Sequence, residues 1–233
     1  MDKQNLLLVP GLLCDAALWQ HQRMHLTDWA EITIADTTGH ETMADIAKAL
    51  LVNAPEHFAL AGLSMGGYVA LEIMSQAQER VTKLALLDTS ARADTKEKTE
   101  GRKVLIQLSR EGKFKEVIRR LLPLLVHPDR MADYRLTNAI SSMSERVGPE
   151  AFLRQQTAIM TRPDSRDDLQ RIKCPALVLC GRQDALTPLQ LHEEMAAMIP
   201  NARLAIIEDC GHMSTMERPQ AVTALLRDWL LYK

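Results

Sequence analysis

The sequence predicts an α/β fold with a mostly parallel central sheet of about six strands and helices on both faces. Six short apolar runs, suited to buried strands, recur along the chain. Amphipathic stretches with helical spacing lie between most of these runs. A long block, residues 91–173, breaks the alternation because it contains helical patterns but no convincing strand. The alternation indicates a parallel sheet, and the block indicates an insertion into it.

The predicted strands are mostly apolar on both faces. A strand with one solvated face would alternate apolar and polar side chains, but runs such as LLLV and ALVLCG do not. Helices are therefore expected to cover both faces of the sheet. The six strand candidates are residues 6–9, 31–35, 58–62, 84–88, 176–181 and 204–208.

Helices are expected between these strands, where apolar residues recur three or four positions apart. Pro188 suits the first turn of one of them, because its missing N–H would have no partner there. The five helix candidates lie near residues 15–26, 42–53, 65–79, 188–198 and 215–231.

Residues 91–173 are too many for an unstructured connection inside a compact domain. Helical patterns in this block are interrupted near Gly112, Pro128, Gly148 and Pro163. We therefore expect a helical cap inserted into the α/β core. The predicted core consists of residues 1–90 and 174–233, and the predicted cap of residues 91–173.

Composition argues against several kinds of partner. The formal charge of the 233 residues is −2, which gives no electrostatic reason to expect nucleic acid or an anionic membrane. The apolar runs are well short of the roughly 18 residues that a spanning helix needs, and the N-terminal sequence does not resemble a signal peptide. We expect a cytoplasmic monomer or homodimer that acts on a small molecule. The four cysteines form no CxxC pair or His cluster, so neither a zinc site nor a disulfide framework is expected. No metal or organic cofactor is expected either.

A single polar residue separates a predicted strand from a predicted helix in FALAGLSMGGYVALEIM. Ser64 has Gly62 two positions before it and Gly66 two positions after it. A G-x-S-x-G match is weak alone, but the strand before it and the helix after it are the setting of a nucleophile elbow. Such a strained turn exposes the serine hydroxyl, and the glycines leave room where backbones come close. We therefore predict that Ser64 is a nucleophile.

A serine hydroxyl needs a general base to act as a nucleophile at neutral pH. His212 follows a predicted strand, in a glycine-containing loop ahead of the last helix, and is the leading candidate. His40 and His127 lie in other loops and are weaker rivals. The other four histidines are interpreted as surface or helix-capping residues: His21, His25, His57 and His192.

An acidic residue is also needed to orient the base. Asp184 follows a predicted strand in a loop ahead of a helix, where open α/β sheets gather their sites. It is the preferred candidate, although it could instead be a capping or turn residue. Asp88 ends another predicted strand and is the runner-up, whereas Asp209 is too close to His212 in sequence to orient its ring easily.

The chain order Ser64, Asp184, His212 resembles that of the α/β-hydrolase fold superfamily and differs from the orders of chymotrypsin and subtilisin. The sequence is similar to small serine carboxylesterases, enol-lactonases and carbon–carbon bond hydrolases with a helical cap. The resemblance implies the α/β-hydrolase fold, here without the N-terminal hairpin that many members carry. The segments that carry it span nearly the whole chain: LLLVPGLL, IADTTGH, GLSMGG, LLDTS, VLCGRQDALTP and GHMSTMERP.

The same resemblance implies an oxyanion hole formed by the backbone N–H groups of Leu12 and Met65. Two segments depart from the usual pattern. Pro10 and Gly11 stand where many members have His-Gly, so an orienting hydrogen bond behind the oxyanion loop is expected to be absent or replaced. DTTGHE, residues 36–41, lacks the second glycine of the usual Asp-x-x-Gly-x-Gly pattern.

The preferred function is hydrolysis of carboxylic esters of small, mostly apolar substrates through Ser64, His212 and Asp184. A lactone or carbon–carbon bond hydrolase with the same triad, and a non-catalytic receptor on the same fold, are the alternatives. Leu12, Leu186 and Met213 are the predicted substrate-binding side chains. Apolar cap residues are expected either to line the pocket or to pack the cap: Leu121, Leu122, Leu124, Leu125, Met143, Phe152, Ile159 and Met160. Three cap arginines either meet an anionic group or form a solvated face: Arg119, Arg120 and Arg154.

Overall fold

A computed structural model of the protein describes residues 3–231. Its described part contains one six-stranded sheet with the strand order β2-β1-β3-β4-β5-β6. Every neighbouring pair in this sheet is parallel. The predicted α/β architecture is thereby confirmed. The strands are β1 (Gln4–Val9), β2 (Ala30–Ile34), β3 (Phe58–Leu63), β4 (Val81–Leu87), β5 (Ala176–Gly181) and β6 (Ala202–Ile207).

Strand β4 begins at Val81, three residues before the apolar run that predicted it. The prediction started too late because Thr82 and Lys83 interrupt the hydrophobic pattern. Val81 nevertheless pairs with Phe58 in the sheet. The Lys83 ammonium donates to the carbonyl oxygens of Trp229 and Leu230, at 2.8 and 2.7 Å. A lysine at this place satisfies carbonyl groups that the last turn of a helix leaves without internal partners.

The predicted helices are present, and two of them are divided. The stretch near residues 15–26 is a short 3-10 helix, Ala16–Trp19, followed by α1. The last predicted helix breaks at Arg218 because Pro219 cannot continue the preceding helix but suits the start of the next. The α-helices are α1 (Gln20–His25), α2 (Met43–Asn53), α3 (Met65–Ala77), α4 (Lys96–Arg110), α5 (Phe114–Leu125), α6 (Tyr134–Met160), α7 (Leu189–Met198), α8 (Ser214–Glu217) and α9 (Pro219–Leu231). Further 3-10 helices are Gln78–Arg80, Pro128–Arg130 and Arg166–Arg171.

Two apolar layers cover the sheet because successive side chains of a strand point to opposite faces. In β1, Leu7 and Val9 pack on the face that α2, α3 and α7 cover. Leu6 and Leu8 pack on the other face, against apolar residues of α9 and of the segment before β2. This two-sided burial explains why the strands are apolar at consecutive positions.

The segment between β4 and β5 contains helices α4, α5 and α6, which pack against one another. We refer to this helical segment as the cap and to the sheet with its covering helices as the core. Gly112 lies between α4 and α5 with a positive φ of 75°. Gly148 divides α6 into two limbs, because its φ of 80° and ψ of 172° are not helical. A small apolar cluster around Leu13, Val117 and Phe152 connects this segment to the loop after β1.

No helix within residues 3–231 combines the length and the apolarity that crossing a lipid bilayer requires.

Candidate active site

Ser64 lies in the turn between β3 and α3 with φ 56° and ψ −117°, a conformation that a non-glycine residue seldom adopts. A Cβ atom on Gly66 would lie 2.1 Å from the carbonyl oxygen of Val9 in the neighbouring strand. A Cβ atom on Gly62 would lie 2.1 Å from the carbonyl oxygen of Gly66. The glycines therefore permit the close approach that places Ser64 at the carboxyl end of the sheet.

The structure brings Ser64, His212 and Asp184 together from three separate loops. His212 Nε2 lies 2.8 Å from Ser64 Oγ, and His212 Nδ1 lies 2.8 Å from Asp184 Oδ2. His212 and Asp184 are only 2% and 4% exposed. The geometry is that of a nucleophile, a base and an orienting carboxylate in hydrogen-bonded sequence.

Asp184 has a full set of hydrogen-bond donors. The backbone N–H groups of Leu186 and Thr187 both donate to Asp184 Oδ1 at 2.9 Å, and the Thr187 hydroxyl donates to Oδ2 at 2.7 Å. Thr187 therefore supports the carboxylate, and Pro188 occupies the position before α7. Such a network fixes the side chain of Asp184 against the His212 ring.

The buried pair of His212 and Asp184 shifts both pKa values. Burial alone would lower the pKa of His212, but the charge and hydrogen bond of Asp184 outweigh it and raise this pKa above its ordinary value. Burial alone would raise the pKa of Asp184, but His212 and the donors of Thr187 hold it below its ordinary value. The arrangement favours an ionised Asp184 that stabilises positive charge on the imidazole.

Asp88, the runner-up acid, does not contact the His212 ring through a hydrogen bond. Its Oδ1 accepts from the Gly181 N–H at 3.0 Å, and its Oδ2 accepts from the Ser214 hydroxyl and N–H. Burial, followed by the charge of Asp184, raises the pKa of Asp88 to about 8. Asp88 thus connects the ends of β4 and β5 to the start of α8. Asp209 is exposed, as its side chain pairs with Arg218 at the surface.

Two residues behind the elbow were not identified from the sequence. The Thr89 hydroxyl donates to the carbonyl oxygen of Ser64 at 2.7 Å, and the Thr89 N–H donates to His192 Nε2 at 2.9 Å. His192 is fully buried, and burial lowers its pKa to about 4. The helical pattern around His192 indicated a surface or capping residue, and that interpretation was wrong because a non-local contact buries it.

The other histidines serve elsewhere in the described structure. His127 Nδ1 accepts from the Asp129 N–H, so this side chain caps a 3-10 helix. His21 bonds to the Thr223 hydroxyl and lies against His25. His40 is exposed. None of these rings is hydrogen-bonded to Ser64 in the described chain.

The loop after β1 is fixed by a hydrogen bond to a side chain of the cap. Leu13 has a positive φ of 59°, and its N–H donates to Gln155 Oε1 at 3.0 Å. Gln155 is fully buried and donates through Nε2 to the Thr37 hydroxyl at 3.2 Å. Cys14 N–H donates to the Gly11 carbonyl oxygen, whereas no described hydrogen bond uses the N–H of Leu12. Gln155 thereby supplies a hydrogen bond behind this loop, where the sequence has Pro10 rather than the usual histidine.

The loop that carries His212 is also tied to the cap. The N–H groups of His212 and Met213 both donate to the carbonyl oxygen of Leu125 at the end of α5, at 3.1 and 3.0 Å. Glu217 is buried and accepts from the N–H groups of Gly211 and His127, at 2.9 and 2.8 Å. Leu125 and His127 thus hold the loop of His212 through direct and Glu217-mediated hydrogen bonds, although they lie about 90 positions earlier in the chain.

A cavity of about 440 Å³ opens above Ser64. The three predicted substrate-binding residues, Leu12, Leu186 and Met213, line it together with Ser64 and His212. Of the apolar cap residues, five line the cavity: Leu121, Leu122, Leu124, Leu125 and Ile159. Met143 and Phe152 are instead fully buried in apolar clusters. The cap leucines therefore make part of the cavity lining above Ser64 apolar.

The cap arginines differ in their environment. Arg119 and Arg120 both pair with Glu116, and Arg120 also lines the cavity. Arg154 donates to the Thr38 carbonyl oxygen at 2.7 Å. Across residues 3–231, no group of three or more His, Cys, Asp or Glu side chains is placed to hold a metal ion.

Known proteins resemble this chain in sequence and in fold. The chain is 25% identical to the pimeloyl-[acyl-carrier protein] methyl ester esterase of Vibrio cholerae, over 94% of this chain and 91% of that protein. A thermophilic esterase from Thermogutta terrifontis superposes with a TM-score of 0.88 at 30% identity, covering 97% of this chain and 89% of that one. The enol-lactonase from Burkholderia xenovorans LB400 superposes with a TM-score of 0.91 at 24% identity, covering 100% of this chain and 93% of that one.

The match to a family extends over almost the whole chain and includes Ser64, Asp184 and His212. Residues 6–225 match the Alpha/beta hydrolase family. The six-stranded parallel sheet with helices on both faces agrees with that match. The chain belongs to the alpha/beta hydrolase family.

Proposed function

We propose that this protein is a serine hydrolase that cleaves carboxylic esters of small, mostly apolar substrates through Ser64, His212 and Asp184. The observation that carries the proposal is the pair of 2.8 Å contacts from His212 to Ser64 Oγ and to Asp184 Oδ2. The similarity to a methyl ester esterase and to a thermophilic esterase supports ester hydrolysis. The apolar cavity above Ser64 supports a substrate with a mostly apolar body.

The proposed reaction passes through an acyl-enzyme. Ser64 Oγ attacks the ester carbonyl carbon while His212 Nε2 takes the hydroxyl proton, and the carbonyl oxygen becomes negative. The N–H groups of Leu12 and Met65 stabilise this oxyanion. The tetrahedral intermediate then collapses, and His212 gives its proton to the departing alcohol. Water repeats the sequence on the acyl-enzyme and releases the acid.

Asp184 keeps the proton of neutral His212 on Nδ1, so that Nε2 is free to accept. Its ionised carboxylate also stabilises the imidazolium that forms when Ser64 loses its proton. Leu12 is suited to its proposed role, because its N–H is not used in the described hydrogen bonds while its residue lines the cavity. Met65 is the first residue of α3, where a helix leaves its N–H groups without internal acceptors.

A Ser64→Ala variant tests the proposal. We expect hydrolysis of 4-nitrophenyl butyrate to fall by about a thousandfold or more, and labelling by a fluorophosphonate probe to disappear. Ser75→Ala is a matched control, since Ser75 is an exposed serine on the same helix α3. Circular dichroism should show the same fold for both variants.

Two results would contradict the proposal. Retained esterase activity in Ser64→Ala would remove Ser64 from the mechanism. A folded wild-type protein that neither reacts with the probe nor hydrolyses esters would indicate a ligand-binding protein on a hydrolase fold.

A further inference from the structure

Positive charge is concentrated at the side of the cavity that the cap forms. Three cationic side chains line the cavity, Lys98 and Arg102 from α4 and Arg120 from α5. Arg102 and Arg120 each contact a carboxylate, in Asp94 at 2.6 Å and in Glu116 at 2.9 Å. Within the described chain Lys98 has no ion pair, and its Nζ donates only to the carbonyl oxygen of Leu186 at 3.3 Å.

Asp94, the carboxylate that contacts Arg102, is shared with a second guanidinium group. Asp94 contacts Arg102 through Oδ2 and Arg162 through Oδ1, at 2.6 and 2.8 Å. The Asp94 side chain is 1% exposed, so solvent contributes little to the balance. One negative charge thus faces two guanidinium groups, with the Lys98 ammonium nearby as a third cation. The Arg102 and Arg162 side chains are only 20% and 6% exposed, so solvent screens their charge little, whereas Lys98 is exposed and free to meet a ligand.

The surroundings of Arg102 also contain more donors than acceptors. Arg102 Nη1 donates to Gln156 Oε1 at 2.9 Å, which fixes the orientation of this amide. Gln156 is fully buried, and its Nε2 has no hydrogen-bond acceptor among the described residues. Gln156 itself does not line the cavity, so Arg102 and Lys98 are the donors that a bound group can reach. A group with only acceptor atoms, such as a carboxylate, suits these two side chains.

Lys98 lies on the face of α4 that meets the cavity. Lys98, Arg102 and Leu105 are four and three residues apart, which places them on one side of the helix, and all three line the cavity. Burial holds the pKa of the Lys98 amino group below its ordinary value, and the charges of Arg162 and Arg102 act in the same direction. The charges of Asp94 and Asp184 oppose this lowering of the pKa. An anion bound beside Lys98 would favour the charged amino group and so oppose this lowering of its pKa.

We propose that Lys98, with Arg102 beside it, forms an anion subsite at the cap side of the cavity, and that the substrates are esters carrying a separate carboxylate group. The inference rests on the proposed function, because the ester bond of such a molecule must reach Ser64. Apolar residues such as Leu121 and Leu124 line the same cavity and suit the hydrocarbon part between ester and carboxylate. The substrate class is a half-ester of a dicarboxylic acid, or an acylated hydroxy acid.

The test compares charged and neutral esters of the same size. For charge on the acyl side, the pair is 4-nitrophenyl hydrogen adipate and 4-nitrophenyl hexanoate. For charge on the alcohol side, the pair is 4-acetoxybenzoate and its methyl ester. The measured quantity is the ratio of kcat/KM for the charged ester to kcat/KM for the neutral ester, in the wild type, Lys98→Met and Lys98→Glu.

In at least one pair, Lys98→Met is expected to lower this ratio by about fivefold to tenfold, because one charge-assisted contact is lost. Lys98→Glu is expected to lower it further, because a like charge then faces the carboxylate. Lys103→Met is the matched control: Lys103 is an exposed lysine of α4 that pairs with Glu100 and does not line the cavity. The ratio for Lys103→Met should equal that of the wild type.

A ratio that is the same in Lys98→Met and the wild type for both pairs would overturn the subsite. An equal fall in Lys103→Met would also overturn it, since net charge alone would then explain the effect. If no ester is turned over, the proposed function fails, and a binding measurement then tests the anion subsite independently of activity. Calorimetry with monomethyl and dimethyl adipate on Ser64→Ala, with and without Lys98→Met, should show a Lys98-dependent preference for the monoanion; equal preferences refute it.

Discussion

His212 illustrates how two opposing contributions at one residue set the pH range of the proposed chemistry. Burial disfavours its charged form, while the Asp184 carboxylate at 2.8 Å favours it, and the pKa of His212 ends above its ordinary value. A general base must be neutral before it can accept a proton. Activity of the wild type is therefore expected to fall as the pH falls through this raised pKa.

An Asp184→Asn variant tests this balance. We expect kcat to fall by roughly a thousandfold to ten-thousandfold, because an amide favours the wrong tautomer of His212. The acid limb of the residual kcat/KM profile should move to lower pH, since the carboxylate that raises the pKa of His212 is gone. The measurement is the pH dependence of 4-nitrophenyl butyrate hydrolysis.

Asp209→Asn is the control for this variant, because Asp209 is an exposed aspartate three positions before His212. Its profile should match that of the wild type. An Asp184→Asn enzyme with kcat within tenfold of the wild type, or with an acid limb that moves upward, would contradict the assigned role.

The cap helices show that two glycines in one segment can have opposite effects on stability. Gly101 lies inside α4 without a positive φ, and a Cβ atom added to it would meet nothing within 4 Å. Gly148 divides α6 at φ 80° and ψ 172°, a region that essentially only glycine occupies. Gly101 therefore weakens its helix, whereas Gly148 is required by the turn between two limbs.

Alanine at the two positions should change the free energy of unfolding in opposite directions. Gly101→Ala is expected to raise it by about 1 kcal/mol, the difference in helix propensity, which corresponds to roughly 2–4 °C in Tm. Gly148→Ala is expected to lower it by about 1–3 kcal/mol, the cost of the strained conformation. Urea unfolding and calorimetry measure both changes. Equal changes in the two variants would mean that α6 is not divided at Gly148.

At the scale of the whole molecule, the cap and the core are joined at the site itself. Gln155, on α6, accepts from the Leu13 N–H in the loop after β1 and donates to Thr37 after β2. This contact spans 142 residues in sequence and is fully buried. Arg146 also joins cap and core, but its ion pair with Asp15 is partly exposed to solvent. The two connections are therefore expected to contribute unequally to the free energy of unfolding.

A Gln155→Leu variant should both destabilise the protein and impair the proposed oxyanion hole. The Leu13 N–H would remain buried without an acceptor, which costs about 1–3 kcal/mol in the free energy of unfolding. Because Leu12 is adjacent, we expect kcat on 4-nitrophenyl butyrate to fall by about tenfold or more with a smaller change in KM. Steady-state kinetics and urea unfolding check the two effects.

Arg146→Gln provides the comparison, since a partly exposed ion pair contributes about 1 kcal/mol or less. This variant should keep the kcat of the wild type. If Gln155→Leu lowered stability but left kcat unchanged, Gln155 would connect cap and core without positioning the loop.

The sequence alone determined the order of strands and helices and the place of Ser64 between β3 and α3. Apolar runs and helical spacing are local patterns, and a buried two-sided sheet leaves little choice about which segments form it. Where local pattern was broken, prediction was less accurate: β4 begins at Val81, ahead of its apolar run, and the last helix divides before Pro219.

Only the tertiary structure decided which partners meet at the site. Asp88 and Asp184 follow neighbouring strands, and the path of the loop after β6 determines that Asp184 contacts the His212 ring while Asp88 binds Ser214. The burial of His192 and the place of Gln155 behind the loop after β1 likewise depend on contacts between distant segments. Such contacts leave no periodic signal in the chain, because they arise only when separately folded segments pack together.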